Sequence, residues 1–108
     1  MKEKIRELFP EIEWIHDEAM RDKVVAAIED GLRSGGWEPE DMDRIPFTLL
    51  IPNCPFSYLA HVRGVTRIAK LAMDEFNAIY AAKDEKFRMD NDLLVPGALL
   101  HYVGKLVE

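Results

Sequence analysis

The chain has 108 residues, 48% hydrophobic and 31% charged, which suits a soluble globular domain with a modest core. Its formal net charge of −6 argues against a large nucleic acid as partner, because phosphate binding needs a basic surface, though a small nucleotide in a local pocket stays open. The single Cys54 cannot close an internal disulfide, no segment resembles a signal peptide, and no apolar run approaches the roughly 20 residues that span a bilayer, so the expectation is a cytoplasmic protein without a membrane partner.

In chain order, Ile5, Leu8 and Phe9 are spaced for a short helix over Lys2–Phe9, which Pro10 stops while opening a turn through Ile15. Asp17 is a good N-cap for a helix to about Arg33, with Met20, Val24, Ala27 or Ile28, and Leu32 as its inner stripe. Gly35 and Gly36 end it. Residues 37–56 hold four of the six prolines. Glu38–Asp43 reads as a helical turn, and Phe47–Ile51 as extended chain pinned to the core.

Ser57 caps the longest predicted helix, Tyr58–Ala82, whose apolar positions 58, 62, 65, 69, 72, 76 and 79 step by threes and fours. That stripe puts Arg63, Thr66, Lys70, Asp74 and Asn77 in water. It places His61 with Val65, Ile68, Ala72 and Ile79 on the buried side, and Gly64 at its border. Lys83–Asp92 is a charged connection held down by Phe87 and Met89, and Asp90 or Asn91 caps the last helix, with Pro96 near its start. The segment Leu93–Lys105 is apolar on nearly every side, the pattern of a buried helix, which places His101 inside the molecule. At 100° per residue, Leu94, Gly97, Ala98, Gly104 and Lys105 share its face, and three of those five are small.

Two inward histidines on two helices make the best constellation in the chain, open to two readings: hydrogen-bonded core residues, or neutral imidazole ligands of a metal. The local sequences bear on that choice. HVRGVTRIA at 61–69 and GALLHYVGK at 97–105 resemble the HD superfamily of metal-dependent phosphohydrolases. The resemblance covers about residues 57–105 and implies an all-α fold: the N-terminal portion of an HD-like bundle, about four helices with the proline-rich connection at 37–56. Residues 1–56 are then the N-terminal helices and loop, and 57–108 the HD-like helix pair of a domain shorter than the family's. It also implies His61 and His101 as metal ligands and Lys105, which follows the pair, as a contact to substrate phosphate; a lysine snorkelling from the helix end is the alternative. The implied cofactor is a divalent ion, with magnesium, manganese, iron and zinc not distinguished, and the implied substrate a small phosphorylated molecule.

Two departures bear on activity. Tyr102 stands where the family pair has aspartate, and 108 residues include no later aspartate. A phenol costs about 4 kcal/mol to ionise at pH 7, so Tyr102 reads as packing. At 1.5 Å per residue Glu75 lies about 21 Å from His61 along its helix, and Asp92 about 13 Å from His101, so neither completes the ligand set. His16-Asp17 spells the family dipeptide but lacks the apolar lead and the following Gly-Lys, and Asp17 already caps a helix. Cys54 reads as a small loop or core residue. The expectation is therefore a phosphohydrolase of weak or no activity with no assigned catalytic residue, or else a non-catalytic helical module. The second reading leaves apolar faces around the histidines uncovered, which predicts a homo-oligomer.

Overall fold

The computed structural model describes residues 1–108 and is all-helical. Four α-helices, α1 (Lys2–Leu8), α2 (Glu18–Gly35), α3 (Tyr58–Phe76) and α4 (Asn91–Leu100), are joined by 3₁₀ turns at Pro10–Trp14, Pro39–Asp43, Glu85–Phe87 and Val103–Val107. Strand-like pairing is confined to one antiparallel bridge between Pro46 and Ser57.

Local chemistry accounts for the helix ends. The Asp17 carboxylate accepts the Ala19 N–H at 3.1 Å to start α2. Gly36, at φ 76°, closes it with its N–H on the Arg33 and Leu32 carbonyls, in a left-handed conformation that favours glycine. Ser57 Oγ caps α3 through the Ala60 N–H at 3.0 Å, and Asp90 caps α4 through the Asp92 N–H. Pro96 is the sixth residue of α4 rather than near its first, so its ring lies inside a helix that stays intact around it.

The core forms where α2 meets the N-terminal segment and the start of α3. Ile5, Phe9, Ile12 and Ile15 close over Val24, Val25, Ile28 and Leu32 of α2, with Tyr58 and Val62 of α3 and Val95 and Leu99 of α4 completing the cluster. Each fully buried side chain of this size contributes roughly 1.5–3 kcal/mol. One charge lies among them: Glu11 is fully buried, and Arg63 Nε donates to its two carboxylate oxygens at 2.7 and 3.2 Å. That hydrogen bond, and secondarily the attraction of the carboxylate, raises the Arg63 pKa above its usual value.

Beyond Tyr58 and Val62, which are buried as expected, the inward face of α3 differs from the predicted one. Its buried residues are Tyr58, Leu59, Val62, Thr66 and Met73, whereas Ile68, Ala72 and Ile79 are exposed. Thr66, predicted to be wet, is inside because its hydroxyl donates to the Val62 carbonyl one turn back, at 2.8 Å, and needs no water. Arg63 turns to Glu11 instead of solvent. Past Phe76 the chain loosens into a π turn, Asn77–Ala81. There the Asn77 amide grips the Met89 backbone, accepting its N–H at 2.8 Å and donating to its carbonyl at 3.2 Å. The backbone at Met89 therefore holds the 83–92 connection, and the Phe87 and Met89 side chains stay exposed.

The proline-rich segment also departs from expectation. Phe47 N–H bonds Phe56 carbonyl at 3.1 Å and Tyr58 N–H bonds Ile45 carbonyl at 2.7 Å, so residues 47–56 form a loop closed at its neck. Its tip, Leu49-Leu50-Ile51, projects into solvent, with Leu50 92% exposed, instead of lying on the core.

The first turn of α4 is fastened to the start of α2. The Asp92 carboxylate accepts the backbone N–H groups of His16 and Asp17, each at 2.9 Å, and Asn91 donates to the Trp14 carbonyl at 2.8 Å. The His16-Asp17 pair thus presents its amides to a carboxylate and uses the Asp17 side chain as a cap. The His16 and Asp17 amides hold the Asp92 carboxyl below the usual carboxylate range. A carboxyl depressed in the folded state stabilises the protein above its unfolded pKa, and that contribution is lost as pH falls through the lower folded value. In Asp92→Asn, acid unfolding followed by circular dichroism between about pH 5 and pH 2 should show a shallower loss of stability than in the parent chain. An identical slope would show that the two amides do not favour the ionised form.

Candidate functional site

The predicted site residues come from three segments. His61 lies one turn into α3, His101 is the residue that ends α4, and Lys105 sits in the C-terminal 3₁₀ turn. Packing α3 against α4 brings the two imidazoles together from forty residues apart, with ring centroids 5.5 Å apart and planes inclined at 51°.

His101 is exposed rather than buried, and the reason is local. The α-helix ends at Leu100 and the chain continues as a tighter 3₁₀ turn, Val103–Val107, that seats Leu106 fully inside against α2. Two contacts hold that path: the Tyr102 hydroxyl donates to the Phe47 carbonyl at 2.6 Å, and the Trp37 indole N–H to the Leu106 carbonyl at 2.8 Å. A buried α-helix running through Leu93–Lys105 is therefore not formed, and Leu93, at 69% exposure, faces solvent with Gly97 and His101.

The same break removes Lys105 from the face of His101. Its side chain is only 9% exposed, its ammonium pairs with Glu108 at 3.0 Å, and it lines a cleft of about 240 Å³ with Trp37, Ile45, Pro46 and Leu49. Neither histidine lines that cleft.

The surroundings of the two imidazoles differ. His61 is half-buried beneath Phe47, whose ring lies parallel to it at 4.7 Å and 7°, and the edge of Tyr102 closes another side at 5.3 Å. Loss of hydration, and secondarily the nearby His101, lowers the His61 pKa, which keeps the ring neutral and its lone pair available near pH 7. In His101, Nδ1 lies 2.6 Å from the Ala98 carbonyl, a contact that requires the proton on Nδ1 and leaves Nε2 as the free acceptor. An imidazole whose second N–H is fixed by a backbone carbonyl has the outer-shell arrangement of metal-ligating histidines.

The spacing is compatible with one ion between the two rings. Nitrogen–zinc bonds of about 2.0–2.1 Å at a tetrahedral angle put two imidazole centroids about 5 Å apart. No third donor joins them: no group of three or more His, Cys, Asp or Glu side chains is arranged to hold a metal. Tyr102 spends its hydroxyl on Phe47 and packs as expected. Tyr58 is buried with its hydroxyl unpartnered, and burial pushes its phenol up to about 12, so it stays protonated. Cys54 is a half-buried loop residue whose thiol lies 3.5 Å from the Phe56 carbonyl.

Phe47 and Glu11 were not legible as partners of the histidine helix. Phe47 reaches His61 only because the loop neck at Pro46–Ser57 folds the segment back, and Glu11 reads as one more charge in a polar turn. No family model, no curated protein and no solved structure matches the chain.

Proposed function

We propose that the chain is an HD-type phosphohydrolase domain in which the hydrolytic centre is reduced to two imidazoles, so that it binds a divalent ion weakly and turns over phosphate esters little or not at all. The observation that carries this reading is the meeting of His61 and His101, the two residues the resemblance singles out, at 5.5 Å and with one nitrogen of His101 left free. Two neutral nitrogen donors favour zinc, iron or another borderline ion over magnesium, which prefers oxygen. A catalytic ion commonly has three protein ligands and an open position, and here position 102 supplies a phenol already bonded elsewhere. Lys105, paired with Glu108 in its own cleft, would need to move to meet a phosphate at the histidines.

The direct test is metal analysis after dialysis together with an assay on a simple phosphate monoester. Weak zinc retention that His61→Gln abolishes, and no turnover above buffer, are expected. Tyr102→Asp would place a carboxylate beside both rings and should tighten retention severalfold. Clear turnover with one tightly held ion per chain would overturn the inactive assignment.

A second reading, a non-catalytic helical module that associates with itself, is favoured by the exposure of Ile68, Leu71 and Leu93 on the two helices that carry the histidines.

A further inference from the structure

We propose that His61 and His101 are half of a metal site whose other half comes from a second copy of this chain, related by a two-fold axis across the open face of α3 and α4. The proposal rests on the reading of the two histidines as ligands and adds the source of the missing ones. It specifies a nitrogen-preferring ion of zinc type held by four imidazoles, two from each copy.

The first argument is one of supply. Within the chain, carboxylates and hydroxyls on the elements around the pair are engaged: Asp92 on the His16 and Asp17 amides, Glu11 on Arg63, Tyr102 on Phe47, Ser57 on Asp43 and Glu108 on Lys105. Two imidazoles remain, and an ion of this class takes four ligands. A two-fold axis beside the pair doubles it to four nitrogens without any new residue type, since an isologous contact presents the same patch from both sides.

The second argument is direction. With Nδ1 of His101 turned back to the carbonyl of its own helix, Nε2, on the far side of an exposed ring, points away from α4. An exposed ring with that nitrogen unbonded leaves an ion held there open to ligands from outside the chain.

The third argument is the face itself. Along α3, Gly64, Val65, Ile68 and Ala72 follow His61 within about 60° of its direction at 100° per residue. Along α4, Leu93 and Gly97 precede His101 at four-residue steps. Ile68 and Leu93 are each 69% exposed, and apart from its chain neighbours and its own helix backbone nothing lies within 4 Å of where a side chain would begin at Gly64 or Gly97. Apart from Glu75, which shares the window at the far end of α3, the face is apolar and shallow at its glycines, so another backbone can come close near the histidines. The exposed apolar side chains here are few against the roughly 20–30 residues that each partner contributes to a standard interface. The contact by itself is too small for a stable dimer and needs the ion.

Sedimentation velocity and metal analysis on the full chain, first stripped with chelator and then titrated with zinc, distinguish the outcomes. The expected result is a monomer at micromolar concentration without metal and a doubled mass with zinc, at one ion per two chains. His101→Gln should abolish the shift with circular dichroism unchanged, and Ile68→Glu should abolish the doubled mass while weak zinc retention by the monomer persists. One zinc per chain with no change of mass would overturn the shared site while leaving the two-histidine reading intact. Absence of any retained zinc would overturn both. A dimer of equal mass in chelator and in zinc, indifferent to His101→Gln, would also overturn the shared site.

Discussion

Arg63→Ala is expected to lower the unfolding free energy by about 3 kcal/mol, the largest effect of any single change outside the apolar core. The side chain covers a fully buried carboxylate, and removing it leaves the buried charge of Glu11 with no side-chain donor. Breaking a buried pair costs about 3–5 kcal/mol, and the lower end applies because Arg63 itself keeps 38% exposure, which lets water reach the vacated side. In a domain of this size the loss corresponds to a drop in Tm on the order of 10–20 °C. The double variant Glu11→Leu/Arg63→Met should recover most of it, since an apolar pair of similar volume removes the desolvated charge as well as its partner. Thermal unfolding of the three proteins decides the matter. If the single variant melts within a degree or two of the parent, the pair is a surface contact in energetic terms.

Gly35→Ala is expected to cost about 2–3 kcal/mol for a different reason, a clash of the new methyl group with backbone. A Cβ at Gly35 would lie 1.9 Å from the Leu106 carbonyl oxygen and about as close to the indole it accepts from, at 2.5 and 2.6 Å from Trp37 Cδ1 and Nε1. The Trp37 ring can swing away, but the carbonyl belongs to the chain that seats Leu106 against α2. The C-terminal turn must lift, and with it go the 2.8 Å indole hydrogen bond and the burial of Leu106. A double-mutant cycle makes the mechanism visible: Leu106→Ala should be costly in the parent chain and nearly silent in Gly35→Ala, where Leu106 is already displaced. Additive costs would show that the turn stays docked. Because the same turn carries Tyr102 away from the line of α4, Gly35→Ala should also loosen the 5.5 Å approach of the two histidines.

Much of the helical architecture was legible before any coordinates. Asp17, Ser57 and Asp90 each cap the helix that follows, and Gly36 closes α2 where expected. The stripe of α2 was read correctly because Val24, Ile28 and Leu32 have no rival apolar face on that helix. The stripe of α3 was not. That helix carries apolar residues on two faces: Tyr58 and Val62 of the predicted stripe are buried, but further along packing turns Thr66 and Met73 inward and leaves Ile68, Ala72 and Ile79 exposed. A hydroxyl that bonds to its own helix and an arginine that meets a buried glutamate make a polar-looking face buriable; the first partner is one turn away, but the second lies 52 residues from Arg63.

The candidate site divides in the same way. The choice of His61 and His101 came from residue type and local context, and the structure puts their rings side by side. Their expected burial came from extending the apolar run Leu93–Lys105 as one helix, and that failed because the run is shared between the end of α4 and a tighter turn. Lys105 lost its place on that face by the same break.

What the sequence alone determined is the set of features whose energy is spent within a turn or two of chain: helix starts and stops, the proline-rich break at 37–56, the all-α class. Caps and hydrophobic spacing act between near neighbours, so the residues that decide them are visible together. What only the tertiary structure decided is which face of α3 turns inward, where α4 ends, and which groups stand beside the histidines. Those depend on contacts such as Glu11 with Arg63, Tyr102 with the Phe47 carbonyl, and Leu106 against Gly35, each joining residues more than fifty positions apart. Such contacts are settled by the fit of whole surfaces, and no local spacing records them.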